Sequence, residues 1–208
     1  MPLRSGYYWR IDVRFGPRVA VFLIGAIACA CPATAGWKLV VANAPVQIGT
    51  MTVTPAADWN QASARPGKQG TAWTQDGFGL NGLEFFAAVV PGQSLYRERS
   101  AKQNPMPKYD STMLLPDLAD FFERSFRVQN NVTDFAVEEV KPATFGGHAG
   151  IAVRYRYSLA NDELKRRGVA RLAVVDKQLF VGNFFAPEVH YYPAGLSQAE
   201  AMMDAARF

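Results

Sequence analysis

Few residues in the chain have the types and spacing that chemistry needs. Gly77-Phe-Gly79-Leu-Asn-Gly82 spells G-x-G-x-x-G, the glycine pattern that lets a backbone wrap a pyrophosphate at a helix N-terminus. That use requires a helix directly after the loop. Here Leu83 to Val90 reads as a strand, so the glycines are expected to form a hairpin loop. The two histidines, His148 and His190, lack H-x-x-x-H spacing. Both cysteines, Cys29 and Cys31, fall in the N-terminal leader, so a closed zinc site would need both histidines plus carboxylates. Each histidine is read as an ordinary surface or hydrogen-bonded side chain. Gly92-Gln-Ser94 does not supply the strained elbow that exposes a nucleophilic serine. Glu138-Glu139 offers two carboxylates, but neighbours on a strand point to opposite faces and would not flank one glycosidic bond. No catalytic residue, metal ligand or cofactor-binding residue is assigned, and no cofactor is expected.

What remains is a candidate binding surface. Phe78 is a large apolar side chain at a loop tip between two glycines, with little local packing, and reads either as folding back onto the sheet or as a contact residue. Arg154 and Arg156 alternate with Tyr155 and Tyr157 on a strand and fall on its solvent side, where pairing with Glu138 or Glu139 across the sheet is the plain alternative. The other aromatics, among them Phe121, Phe122, Phe126, Phe180, Phe184 and Phe185, read as core. Lys165-Arg166-Arg167 reads as a solvated loop between two strands, with contact to an anionic lipid as the sharper alternative.

The elements that would position these residues follow from periodicity. Val46 to Thr54 is apolar and β-branched, closes at Pro55, and reads as a strand. Trp59 lies in a polar stretch that ends in a loop at Gly70. Thr71–Thr74 and Leu83–Val90 flank Asp76-Gly77 as a hairpin. Gln93 to Asp110 is polar, carries Pro105 and Pro107, and reads as a surface excursion. Pro116 to Val128 is a helix, with Leu118, Phe121, Phe122 and Phe126 on one face and Pro116 at a first-turn position that misses no donor. Phe135 to Val140 is a short strand. Ile151, Val153, Tyr155, Tyr157 and Leu159 mark an alternating strand. Val169–Val175 and Leu179–Phe185 form a second hairpin. Ser197-Gln-Ala-Glu200 has the form of a capping box and is expected to open a terminal helix whose Met202, Met203, Ala206 and Phe208 face the sheet. Hairpin-linked strands with two widely spaced helices predict an α+β domain, an antiparallel β-sheet with helices packed on it.

Phe145-Gly-Gly-His-Ala-Gly150 leading into an alternating strand, a hairpin carrying Leu179-Phe180, Tyr191-Tyr192 and a C-terminal helix resembles the second half of PsbP-like domains, whose bacterial relatives include DcrB-type envelope proteins. The likeness spans Val46 to Phe208. It implies a compact antiparallel sheet between helices and a binding or accessory role. The family shares no catalytic residues, so none is carried over.

The first 35 residues concern address. Arg4, Arg10, Arg14 and Arg18 precede an apolar run, Val19 to Ala28, which ends in Cys29-Ala-Cys-Pro-Ala-Thr-Ala35. Basic, apolar and small-residue segments in that order form a secretory signal peptide. Two processing routes fit. Cleavage between Ala35 and Gly36 would release a free periplasmic protein. Lipidation of Cys29, or of Cys31, would leave a lipoprotein whose leader ends at residue 28 or 30. Residues 36–208 have the length of one domain. The apolar run falls short of the roughly 20 residues that a spanning helix needs. The leader also carries four of the 22 basic and one of the 18 acidic residues, so the remainder has a net charge near +1 and no nucleic-acid footprint.

These readings predict an exported, non-enzymatic cell-envelope protein whose partner is another envelope protein or component. It would touch the membrane only through an N-terminal lipid and would not bind nucleic acid. A periplasmic carrier of a small apolar ligand or lipid is the alternative, and a hydrolase using His148 or His190 is the third possibility.

Overall fold

The computed structural model describes residues 36–160 and 162–208, all within one compact unit. The signal peptide, the Ala35 cleavage position and the lipidation candidates Cys29 and Cys31 lie outside the described residues.

Among the described residues, ten strands and two helices follow one another: β1 (Lys38–Val40), β2 (Val46–Ile48), β3 (Met51–Val53), β4 (Trp59–Gln61), β5 (Gly70–Thr74), β6 (Gly82–Val89), α1 (Leu115–Asn130), β7 (Val132–Phe145), β8 (His148–Leu159), β9 (Arg166–Val175), β10 (Gln178–Pro187) and α2 (Tyr191–Ala205). Eight strands make one antiparallel sheet in the order β1-β4-β5-β6-β10-β9-β8-β7, and β2-β3 is a separate hairpin. The α+β architecture expected from the sequence is therefore present.

Both faces of the sheet are covered, which explains its apolar strands. On one face Phe145, Phe180, Phe184, Leu83 and Phe85 pack with Met202 and Met203 of α2 and with Met51 and Val53 of the small hairpin. On the other, Phe86, Ile151, Val153, Tyr155 and Tyr157 pack against Leu118, Phe121, Phe122 and Phe126 of α1. Alternation along each strand divides its side chains between the two cores. In β6 a bulge opposite Leu179 and Val181, with Ala88 at φ 56°, breaks the alternation so that Phe86 and Val89 both join the α1 core.

Several elements differ from the sequence expectation. Val46 to Thr54 is two short strands, because Gly49 at φ 58° turns the chain back on itself. Trp59 is a strand residue and 1% exposed. The polar excursion after β6 is a packed strap: Leu95, Tyr96, Met106 and Tyr109 are buried in the α1 core. The strand starting near Phe135 is longer than expected and runs through Pro142, which pairs with Ile151. β7 is an edge strand, where a residue without an N–H is tolerated. Helix α2 opens at Tyr191, so Ser197 lies in its interior and is no cap. Pro193 falls in its first turn, where no intrahelical donor is required.

Candidate functional site

The site grows from one unusual residue. Glu84 is a lone carboxylate in the middle of the otherwise apolar β6, and it faces the α1 side. It is 7% exposed, and burial raises its pKa from an ordinary 4.5 to about 7, against the opposing pull of hydrogen bonds from Tyr96 and Asn183. The strap supplies Tyr96, whose hydroxyl donates to Glu84 Oε2 at 2.7 Å. The neighbouring β10 supplies Asn183, whose Nδ2 donates to the same oxygen at 3.0 Å. Asn183 Oδ1 in turn accepts from the Tyr155 hydroxyl of β8 at 2.7 Å. The chain Tyr96–Glu84–Asn183–Tyr155 joins residues of β6, β10 and β8, passing over β9, and ties them to the strap. Burial holds the phenols of Tyr96 and Tyr155 well above the ordinary tyrosine range, so both remain hydrogen-bond donors. Gly168 makes room for the Tyr155 ring: a Cβ there would lie 2.2 Å from its Cζ.

Glu84 also lines a cavity of about 330 Å3 on this face, between the β5–β6 loop, the C-terminal end of α1 and the start of β9. Its apolar wall is formed by Phe78, Tyr157, Leu159 and Phe185, and its polar groups include Arg65, Arg99, Gln129 and Arg166. The buried Arg166 ion-pairs with Asp162 at 2.8 Å and donates to the Leu164 carbonyl at 3.1 Å. The Oε1 atom of Gln129 is buried and has no hydrogen-bond partner among the described residues.

The loop carrying Phe78 is built by Asn81. Asn81 Oδ1 accepts from Thr74 Oγ1 at 2.7 Å and from the Gln75 N–H at 2.9 Å, and Asn81 Nδ2 donates to Asp76 Oδ2 at 2.6 Å. The G-x-G-x-x-G run is thus a side-chain-stabilised hairpin connection between β5 and β6. Phe78 is 37% exposed and its ring lies 5.7 Å from that of Trp37.

The residues singled out in the sequence do not share one surface. Phe78 lines the cavity on the α1 face, whereas Arg154 and Arg156 project from the α2 face, opposite Tyr155 and Tyr157. Arg154 is held by Glu200 of α2 at 2.9 Å and Glu139 at 3.5 Å. Arg156 is exposed and lies in a polar hollow with Asp134, Lys165 and Glu188. Glu138 and Glu139 do not diverge as strand neighbours should. A bulge between Val137 and Glu139 lets Glu138 pair with Arg167 at 2.5 Å while Glu139 pairs with Arg154. Lys165-Arg166-Arg167 is no solvated loop, since Arg166 is buried and Arg167 bridges Glu138 and the Tyr192 ring. His148 Nε2 donates a 3.1 Å hydrogen bond to the Phe208 carbonyl, and the imidazole stacks on the Phe208 ring. His190 lies edge-on to Tyr191 before α2. Neither histidine lines the cavity. Sequence reasoning passed over Glu84, although a single carboxylate inside Leu83-Glu-Phe-Phe-Ala-Ala-Val-Val90 was the signal that marked it.

No protein-family model matches the chain, and no curated protein does. Solved structures do. The solution structure of cyanobacterial PsbP (CyanoP) from Synechocystis sp. PCC 6803 matches with a TM-score of 0.53 over 86% of this chain and 96% of that one, at 9% identity. A Pseudomonas aeruginosa protein of unknown function matches at TM-score 0.39 and 11% identity, covering 77% of this chain and 94% of that one. LpqN, involved in cell envelope biogenesis of Mycobacterium tuberculosis, matches at TM-score 0.33 and 11% identity, covering 85% and 86%. The match to the cyanobacterial structure spans nearly all of both chains and concerns fold alone: the chain has a PsbP-like fold, a large antiparallel sheet held between two helices.

Proposed function

We propose that this is an exported, non-enzymatic cell-envelope protein that works by binding a small molecule in the cavity between Phe78 and Glu84. Export rests on the leader read in residues 1–35, and among the described residues no helix is long and apolar enough to cross a membrane. The observation that carries the binding reading is the composition of the cavity. Its volume of about 330 Å3 lies within the range of small-molecule sites, about 300–1,000 Å3. No serine, threonine, cysteine or histidine is among the residues lining it, and its one carboxyl group is held by Tyr96 and Asn183. Such a lining can hold a ligand, and it includes none of the serine, cysteine or histidine side chains of the usual nucleophile–base pairs.

A second reading, recognition of a protein partner, is favoured by a different feature. Trp37, Leu39 and Val41 are each more than half exposed, and they flank or occupy β1, an open edge of the sheet. A partner strand laid on that edge would extend the sheet and cover the row.

Native mass spectrometry of protein purified from its host separates the two. The cavity reading expects a bound small molecule that Phe78→Ala loses and Leu39→Ala keeps. A clean ligand-free mass together with a partner that Leu39→Ala releases would replace it with the second reading.

A further inference from the structure

We propose that the cavity on the α1 face takes an anionic amphiphile, its carboxylate or phosphate head between Arg65 and Arg99 and its apolar body against Phe78, Tyr157, Leu159 and Phe185. This deepens the binding reading above and rests on it.

The charge distribution around the cavity selects the head. Three cations and one carboxyl group line it. Arg166 is committed to Asp162. Arg65 and Arg99 are exposed and make no ion pair among the described residues. Glu84 is the one acid on the wall, and it is buried and hydrogen-bonded to Tyr96 and Asn183, so it cancels little of their field. Two arginines without ion-pair partners that line one cavity are suited to a carboxylate or phosphate, which guanidinium groups bind through forked, charge-assisted hydrogen bonds. A cation would meet the same two groups as repulsion.

The remainder of the wall selects the body. Aromatic and aliphatic side chains, Phe78, Tyr157, Leu159 and Phe185, cover one side. The volume lies at the low end of the range for small-molecule sites, about 300–1,000 Å3, which fits a single short chain or ring and not a two-chain lipid.

Isothermal titration calorimetry with decanoate, decyl phosphate, decanol and decyltrimethylammonium, each below its micellar concentration, tests this on the purified protein. One or both anions should bind at a single site, with decanol about tenfold weaker or worse and the cation undetected. The tighter of the two anions identifies the head. The double variant Arg65→Gln/Arg99→Gln, both at exposed positions, should lower anion affinity by about tenfold and leave decanol unchanged. Equal binding of decanol and the anions, or an unchanged anion affinity in the double variant, would overturn the anionic-head inference. If Phe78→Ala nevertheless weakened decanol binding, the cavity reading itself would stand. No binding of any probe to a protein that also leaves its host ligand-free would remove both.

Discussion

The Tyr96 hydroxyl donates to Glu84 Oε2 across 2.7 Å, joining a strap with no regular secondary structure to the middle of an eight-stranded sheet. The strap's other anchors include the buried side chains of Leu95, Met106 and Tyr109, the Tyr96 ring against Phe86, and a backbone hydrogen bond from Arg97 to Pro66. Because Glu84 also lines the cavity, one carboxyl group couples the packing of the strap to the state of the candidate site.

That coupling has a pH signature. Glu84 titrates near 4.5 in the unfolded chain and at about 7 in the fold. Between those values the folded state holds a proton that the unfolded state has lost, so stability declines as pH rises through this window. The cost is absent below pH 4.5 and complete above about 7, and amounts to roughly 3 kcal/mol. Asp110 and Asp162 are held below their ordinary range by hydrogen bonds, so their linkage lies at lower pH and leaves the window clear. Glu84→Gln keeps an acceptor for Tyr96 and removes the titration. Urea unfolding from pH 4.5 to 8 should show wild-type stability falling and the variant nearly level. Parallel profiles would mean that Glu84 is ionised at its usual pKa.

The sequence made α1 legible because Phe121, Phe122 and Phe126 fall on one helical face. It made β8 legible because Tyr155 and Tyr157 alternate with arginines. These patterns are local and need no knowledge of partners. The start of α2 was not legible, since Tyr191-Tyr-Pro-Ala-Gly195 carries two residues that disfavour helices. Proline costs nothing in a first turn. Gly195 is packed so closely that a Cβ would lie 2.6 Å from Phe184 Cζ, so a tertiary contact offsets its low propensity. The candidate site was only half visible. Phe78 stood out as an apolar residue in a glycine loop. Arg65, Arg99 and Glu84 come together only when the sheet is assembled, and no spacing in the chain announces it.

Tyr96→Phe tests the other end of the hydrogen bond. The phenylalanine ring preserves the edge-on contact with Phe86, whose centroid lies 5.1 Å away. The variant leaves Glu84 Oε2 with Asn183 as its donor. A hydrogen bond from Tyr96 lowers the pKa of Glu84, so its loss should move that pKa further up. The destabilisation should be about 1–3 kcal/mol at pH 8, where the carboxylate is charged and underbonded. It should be smaller at pH 5, where the group is neutral in the fold. Carbonyl-carbon NMR titration of Glu84 reads the pKa shift directly. A pKa that stays near 7 would show that the tyrosine hydroxyl does not stabilise the charged form.

Phe208 provides the last test, at the opposite core. Its ring stacks on Phe180 at 4.0 Å with planes 9° apart and meets Phe145 edge-on at 5.1 Å. Next to it, Arg207 pairs with Thr52 through two backbone hydrogen bonds, at 2.8 and 3.0 Å. The same ring lies over the β7–β8 turn: a Cβ on Gly146 would come within 2.3 Å of Phe208 Cε1. Gly146 also sits at φ 59°, so any side chain there is strained by backbone conformation as well as by the ring. Phe208→Ala should cost about 2–3 kcal/mol, below the full-burial value because the ring is partly exposed. Gly146→Ala should be costly in the wild type and less so in the Phe208→Ala background, where only the backbone strain remains. A double-mutant cycle by thermal denaturation measures the difference. Additive costs would mean that ring and turn are energetically independent.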